Sequence, residues 1–514
     1  MIRKWGILGS MGENYNKSII KQLEELTLEN ERLNAENKLL KAENNKLWQT
    51  IKQLNDSIEQ RISEAVAKAC APLYERIAYL ESENERKDAE IIRLKGQINK
   101  DSSNSSQPPG MNGLKKVFNS REKSNKKVGG QKGHKGTTLK VPENLDSLVK
   151  EGKAKKCVID FTNGSKEYVS KWEIDLETKV VYTEYRYPLG TNPCLFYGKN
   201  LKALCVLLSI NCFIADKRLS YLFRDLTAGL ITVSSGTIEK FKKEAASKIN
   251  LSSIREDLLN GEVMHVDETL LRSVQVLEYE SNELKTAIGT SFDAVIRTHS
   301  NSITTLYTVN SHKDDKGIKR DEIIPCFCGI LSHDHDKKYY KYGKLHATCG
   351  AHISRELKGL NELYKIEWAE KFRKFYVGIN EYKNRTEVCE CDKLMEIEKE
   401  YDGLLLEGDT ALEEMKEGSF IYDKLYLIIN RLRQYKDDYM LFIRNYKAPF
   451  TNNQAERDLR HCKIKQKISG CFRSWAGVVC YTKIHSFLST AHKRKQNLFS
   501  AVKGLFCHLS NSTC

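Results

Sequence analysis

The sequence predicts an α/β core, a mixed sheet flanked by helices and broken by a helical insertion, behind an N-terminal α-helical coiled coil. Three observations predict it. Leu26, Leu33, Leu40, Leu47 and Leu54 fall seven residues apart. Short apolar runs of strand length cluster between Glu262 and Ser332. A charged, helix-patterned stretch at 345–447 separates those runs from a last basic helix. At 514 residues the chain is too long for one hydrophobic core, so several domains are expected.

The arm spans 17–100. Leu23, Asn30, Asn37, Asn44 and Ile51 each precede one of the spaced leucines by three residues, which gives a heptad seam with Leu at d and three Asn at a. Asn at a weakens the seam but fixes register and favours two strands. A second seam, Ile77, Leu80, Asn84, Ile91, Leu94 and Ile98, follows in a shifted frame. Pro72 between them is expected to interrupt the helix. Sustained heptads seek a partner, so a homodimer or higher oligomer is expected. The alternative is a helical hairpin folded at Pro72.

Composition changes at 101–145. "DSSNSSQPPG" is a Ser/Pro/Gly linker, and "KKVGGQKGHKG" is rich in Lys and Gly. Lys132, His134 and Lys135 are candidate phosphate contacts there, though on its own such a run is more often a solvated, disordered tail than a specific reader. The formal net charge of +15 points the same way, to a polyanionic partner. At 146–196 the alternation in "KWEIDLETKVVYTEYRYPL" predicts a small strand-rich module. Cys157 and Cys194 belong to no Cys-x-x-Cys pair, so a four-cysteine zinc site is not supported. At 197–255 helical spacing dominates. "RLSYLFRDLTAGLITVSSGTIEKFKK" reads as helix, turn, helix, capped at Ser234 or Ser235, with Lys240, Lys242 and Lys243 on its later face. Either a DNA-binding unit or an ordinary helical subdomain fits that pattern.

The chemistry rests on three carboxylates. "GEVMHVDET" is an apolar run ending at Asp267, which places a carboxylate at a strand end, a rigid platform. "GILSHDHD" predicts a strand with Asp334 just past it. Glu456 lies in "FTNNQAERDLRHCKIKQKISG", on a helix expected to start at Thr451 or Asn452, with Arg460 on the same face. Two Asp and one Glu are hard oxygen ligands suited to two Mg²⁺ or Mn²⁺ ions and to phosphoryl transfer. Arg457, Arg460, Lys463, Lys465, Lys467 and Arg473 surround Glu456 with positive charge, while Asp458 reads as a surface residue. With 68 acidic residues in the chain, spacing alone would not select this triple.

The same stretches carry a resemblance. "SSNSSQPPG", "GGQKGHKG", "YGKNLKAL", "SSGTI", "HVDET", "GILSHDHDKKYYKYG", "HATCGAHISREL" and "NNQAERDLRHCKIKQKISGCFRS" occur in the order found in bacterial insertion-sequence transposases of the IS66 family, which the chain resembles from about Ile19 to Phe506. The resemblance implies an Asp-Asp-Glu triad on Asp267, Asp334 and Glu456. It implies an RNase H-like core at 256–344 and 448–506, interrupted at 345–447. It also implies metal-dependent cleavage and strand transfer at terminal inverted repeats, with DNA and accessory proteins of the same element as partners. The module at 146–196 would then be a degenerate zinc ribbon, since its relatives' cysteine pairs are missing. Asp336 is a substitute ligand by position, but Asp334 is nearer the strand end.

Accessory candidates are His333 and His335, which flank Asp334, and His352. His346, Cys349 and His352 fall at i, i+3 and i+6 on an expected helix; with three local ligands, packing is favoured over zinc. Tyr339, Tyr340 and Tyr342 stack on bases or pack. The sequence has no P-loop and no Ser-His-Asp arrangement. It also has no apolar run long enough to span a bilayer, nor a leader-like apolar stretch at the N-terminus. A cytoplasmic, nucleoid-associated protein with reduced cysteines is expected. The rival readings are a catalytically inactive DNA-binding dimer derived from a transposase, and a coiled-coil scaffold, which leaves the Glu456 helix unexplained.

Overall fold

The computed structural model describes residues 6–101, 103–105, 140–160, 166–167, 169–186, 195–278, 281–286 and 292–506. The chain divides into two units, Met1–Leu94 and Lys95–Cys514. Helix α1 (Gly6–Asn99) runs unbroken through Pro72. This corrects the expected interruption and removes the hairpin alternative. A proline deletes one backbone donor, and the ladder continues on both sides of it. The seam residues stay in water: Leu26 is 64% exposed, Leu47 59% and Leu54 56%.

After the short α2 (Leu145–Lys150), the described residues up to Arg186 form no strand. Val181 and Tyr182 are 80% and 74% exposed. The alternation there is real, but among the described residues no partner strand or core accompanies it, and an unpaired strand leaves its backbone and apolar face in water.

Helices α3 (Lys199–Ile210), α4 (Asp216–Leu226), α5 (Ser235–Lys248) and α6 (Ser252–Leu259) follow. Ser234 caps α5 by accepting from Thr237 N at 3.1 Å. Lys242, expected on an open face, is buried and pairs with Asp216 and Glu239.

The sheet is built from β1 (Val263–Ser273), β4 (Phe292–Ser300), β5 (Thr305–Asn310), β6 (Ile330–His333) and β7 (Leu345–Thr348), while β2 (Gln275–Glu278) and β3 (Glu283–Thr286) form a separate hairpin. Its order is β5-β4-β1-β6-β7. β1, β4 and β5 pair antiparallel, whereas β6 and β7 run parallel to β1 and to each other. Residues 345–348 therefore belong to the sheet, not to the insertion. Alternation sends Met264 and Val266 to one face, against Leu306, Leu331 and Ile318 of α7 (Asp315–Asp321). Leu271, with Ala294 and Ile296, faces the other side.

The insertion proper comprises α8 (Gly350–Tyr364), α9 (Glu367–Lys383), α10 (Cys391–Glu413), α11 (Phe420–Gln434) and α12 (Lys436–Arg444). It has its own core, in which Tyr376, Tyr401 and Trp368 donate to the carbonyls of Tyr439, Leu432 and Leu404. The chain then returns as α13 (Asn453–Ser469), α14 (Trp475–Lys493) and α15 (Leu498–Gly504). α13 and α14 cover the Leu271 face and share one core with α3 and α5. Along edge strand β5, Ser486 and Thr490 of α14 accept from Tyr307 N (2.9 Å) and Thr305 N (3.1 Å), which closes the edge to further pairing. Among the described residues, no helix is long and apolar enough to cross a membrane.

Candidate metal centre and nucleic-acid interface

Asp267 lies within β1, not at its end. β4 pairs with it from His265 to Ser273, Asp267 opposite Thr298, but β6 pairs only as far as His265↔Ser332. The sheet thus opens beside Asp267, and Asp334 stands just past the end of β6 at that opening. Alternation puts Asp267 on the Leu271 face, which α13 covers.

Asn452 holds these pieces together. It precedes α13 and was expected as a cap, but its side chain makes no cap bond. Instead Nδ2 donates to Val266 O (2.7 Å) and to Asp334 Oδ1 (3.3 Å), and Oδ1 lies 3.2 Å from His265 Nδ1. Its backbone N–H donates to Cys349 Sγ at 3.2 Å. Gly350 permits this approach. Its N–H donates to Phe450 O (2.8 Å), and a Cβ there would come within 2.5 Å of the Phe450 ring. Replacing Asn452 by Ala unties Asp334 from β1. Mn²⁺ binding, measured by calorimetry, should weaken about ten- to a hundredfold; unchanged binding would show that Asp334 needs no such tie.

Glu456, in the first turn of α13, brings the third carboxylate. His352 Nδ1 lies 3.3 Å from Asp334 Oδ1 and 3.7 Å from Glu456 Oε1, and Arg355 Nη2 lies 3.6 Å from the latter. These are ion-pair distances without hydrogen-bond alignment: His352 Nδ1 and Glu456 Oε1 are both buried and unbonded. Burial opposes a charge on His352, but Asp334 and Cys349 outweigh it and lift the imidazole to about 10. Burial, then the negative charges of Asp334 and Glu456, push Asp267 well above the ordinary carboxylate range, against the pull of the Glu268 N–H. Crowded carboxylates with an orphaned buried oxygen are what a hard divalent cation relieves, so these residues fit Mg²⁺ or Mn²⁺.

The other candidates fall elsewhere. His333 is buried in β6 against His346 (3.2 Å), and burial lowers it to about 3. His335 packs on Tyr435 and bonds Tyr340 Oη (2.8 Å). Tyr339 is buried, so that part of the tyrosine run packs. Asp336 caps the turn at Lys337–Lys341 and pairs with Lys338 (2.9 Å). His346, Cys349 and His352 are not on one helix: they occupy β7, the residue after it and α8. Asp458 is no surface residue. It pairs with Lys493 at 2.8 Å and accepts from Thr305 Oγ1, tying α13 to α14 and β5. Asn452, expected only as a cap, and Arg355 are the site residues that sequence reasoning missed. Cys349 was weighed there with His346 and His352 and assigned to packing, although its Cys-x-x-His spacing to His352 was a local signal.

On α13, Glu456, Arg460, Lys463 and Lys467 recur at helical spacing and form one stripe. Arg460, Lys463 and Lys467 are exposed, as are Arg457, Arg473 and Lys240. Lys463 also reaches back to Leu270 O (2.6 Å). Lys465 sits on the opposite side, where burial and Lys242 depress its charge, so it leaves the stripe. Lys132, His134 and Lys135 lie outside the described residues.

Residues 195–479, more than half of the chain, match the family model described as Transposase IS66 family. Residues 59–140 match a second model, a family of unknown function (DUF6444). A comparison with curated proteins gave no match.

Proposed function

Because the chain belongs to the IS66 transposase family, we propose that it is an Asp-Asp-Glu enzyme that binds the terminal inverted repeats of an insertion sequence, cuts there and joins the freed end to target DNA. The observation that carries this reading is the meeting of Asp267, Asp334 and Glu456, brought from a strand, a loop and a distant helix around an unbonded buried oxygen. These three are the proposed catalytic carboxylates and metal ligands. The core is read as RNase H-like, from three antiparallel strands continued by two parallel ones.

When bound, a pair of Mg²⁺ or Mn²⁺ ions supplies Lewis acidity at the scissile phosphate. The chain's own residues position and neutralise. Asn452 fixes the Asp334 carboxylate against β1. Arg460, Lys463 and Lys467, flanked by Arg457, Arg473 and Lys240, meet backbone phosphates, and Lys132, His134 and Lys135 take the same role in the basic linker. In the first transfer a water oxygen bonds to phosphorus, the bond to the 3′-oxygen breaks, and that oxygen takes up a proton. In the second, the new 3′-hydroxyl attacks a target phosphodiester, loses its proton to solvent and displaces a target 3′-oxygen. No covalent protein–DNA bond forms. Pairing of α1 with a second copy as a coiled coil would hold two ends in one complex. Proteins encoded by the same element are further proposed partners, and the nucleoid is the proposed place of action.

The test is nicking of labelled duplex DNA carrying the element's own ends, with Mg²⁺ or Mn²⁺ and with EDTA. Metal-dependent cleavage at the end, lost in Glu456→Ala, is expected. Tight binding without cleavage in either metal would favour an inactive DNA-binding dimer.

A further inference from the structure

Beside the three carboxylates lies a donor set that magnesium does not explain. Asp334, Cys349, His352 and Glu456 each offer one ligand atom, and the four atoms lie within 4.8 Å of one another. Magnesium takes oxygen donors and avoids sulfur and imidazole, whereas a set of one sulfur, one nitrogen and two oxygens suits zinc. Tetrahedral zinc with bonds of about 2.0–2.3 Å needs ligand atoms about 3.3–3.8 Å apart. His352 Nδ1 is 3.3 Å from Asp334 Oδ1 and 3.7 Å from Glu456 Oε1. The donors are also held in place. Cys349 directly follows β7 and is 1% exposed, while His352 sits in the first turn of the 15-residue α8. His352 Nδ1 and Glu456 Oε1 are buried with no hydrogen-bond partner.

We propose that Asp334, Cys349, His352 and Glu456 form an inhibitory zinc site that overlaps the catalytic centre. Zinc binds as the Cys349 thiol and the His352 imidazolium each release a proton to solvent. It engages two of the three carboxylates and leaves Asp267 out, so a zinc-loaded chain holds Asp334 and Glu456 in an arrangement that hard-metal chemistry cannot use. The site itself stands on geometry alone; the arrest of cleavage rests on the transposase reading.

The test uses full-length protein stripped with a chelator and titrated with Co²⁺, a spectroscopic stand-in for zinc. The expected result is one equivalent bound with a thiolate charge-transfer band and intense tetrahedral bands, all displaced by Zn²⁺. Cys349→Ser should abolish the charge-transfer band, and His352→Gln should weaken Zn²⁺ binding about a hundredfold while leaving the fold unchanged by circular dichroism. Asp267→Asn should keep the full spectrum. A charge-transfer band that survives Cys349→Ser, or Zn²⁺ affinity unchanged in His352→Gln, would overturn the site. Zn²⁺ added to wild-type protein should stop Mg²⁺-dependent nicking. If wild-type protein never nicks but the Co²⁺ spectrum behaves as stated, the transposase reading fails and the zinc site stands.

Discussion

Asp267→Asn is expected to lower nicking about a thousandfold, on the order of 4 kcal/mol of barrier, while end binding changes little. The substitution keeps the shape of the side chain and an oxygen for the Glu268 N–H, and removes only the charge. Stability should move the other way. The folded chain raises the Asp267 pKa through burial and the neighbouring charges of Asp334 and Glu456, so the ionised form is disfavoured relative to the unfolded chain. Wild-type stability is thus lost as pH rises above the ordinary carboxylate value and is restored below it. At neutral pH the metal-free Asn variant should melt higher than wild type, and the gain should vanish in acid. A site strained for function commonly behaves so. End cleavage at wild-type rates would remove Asp267 from the triad. A lower melting point would show that the carboxylate is not crowded.

The largest effect on folding is expected at Arg297, on the other face of the sheet. Its guanidinium is fully buried. It bonds Glu268 Oε2 through Nη2 (2.9 Å) and Nε (3.2 Å), and Asp321 through Nη1. Lys338 and Tyr339 complete the shell around Glu268. Arg297→Met leaves Asp321 with the neutral donors Asn310 (3.1 Å) and Thr308, a buried carboxylate without its cation. A loss of about 3–5 kcal/mol follows, measured by calorimetric unfolding. The double variant Arg297→Met, Asp321→Leu should recover much of it; if it does not, the cluster is not the source of the loss.

Legibility in the sequence followed the range of the interaction. The helicity of α1, the Ser234 cap and strands β1, β4, β5 and β6 were legible, because each is set by residues a few positions apart. β7 was not. Four residues in "LHATCGAH" carry no period of their own, and only pairing with β6 makes them a strand. The converse failure lies before α3, where alternation predicts strands but no partner strand is present among the described residues. The carboxylates could be picked out by motif and by strand-end position. What joins them could not. Asn452 is a cap by local rules and becomes a tie to β1 and Asp334 because they lie 186 and 118 residues away in sequence and adjacent in space. Asp458 was misjudged for the same reason, since its partner Lys493 is on the next helix.

Helix α1 leaves its leucines in water over its whole first seam, with Leu33 and Leu40 52% and 53% exposed. In the proposed pairing with a second copy these leucines are buried, and the paired form then gains stability by mass action. At low abundance the amount of paired chain rises as the square of the amount made. Doubling expression would then raise paired protein about fourfold. The arm would in this way make the output of the element steeper than its gene dosage.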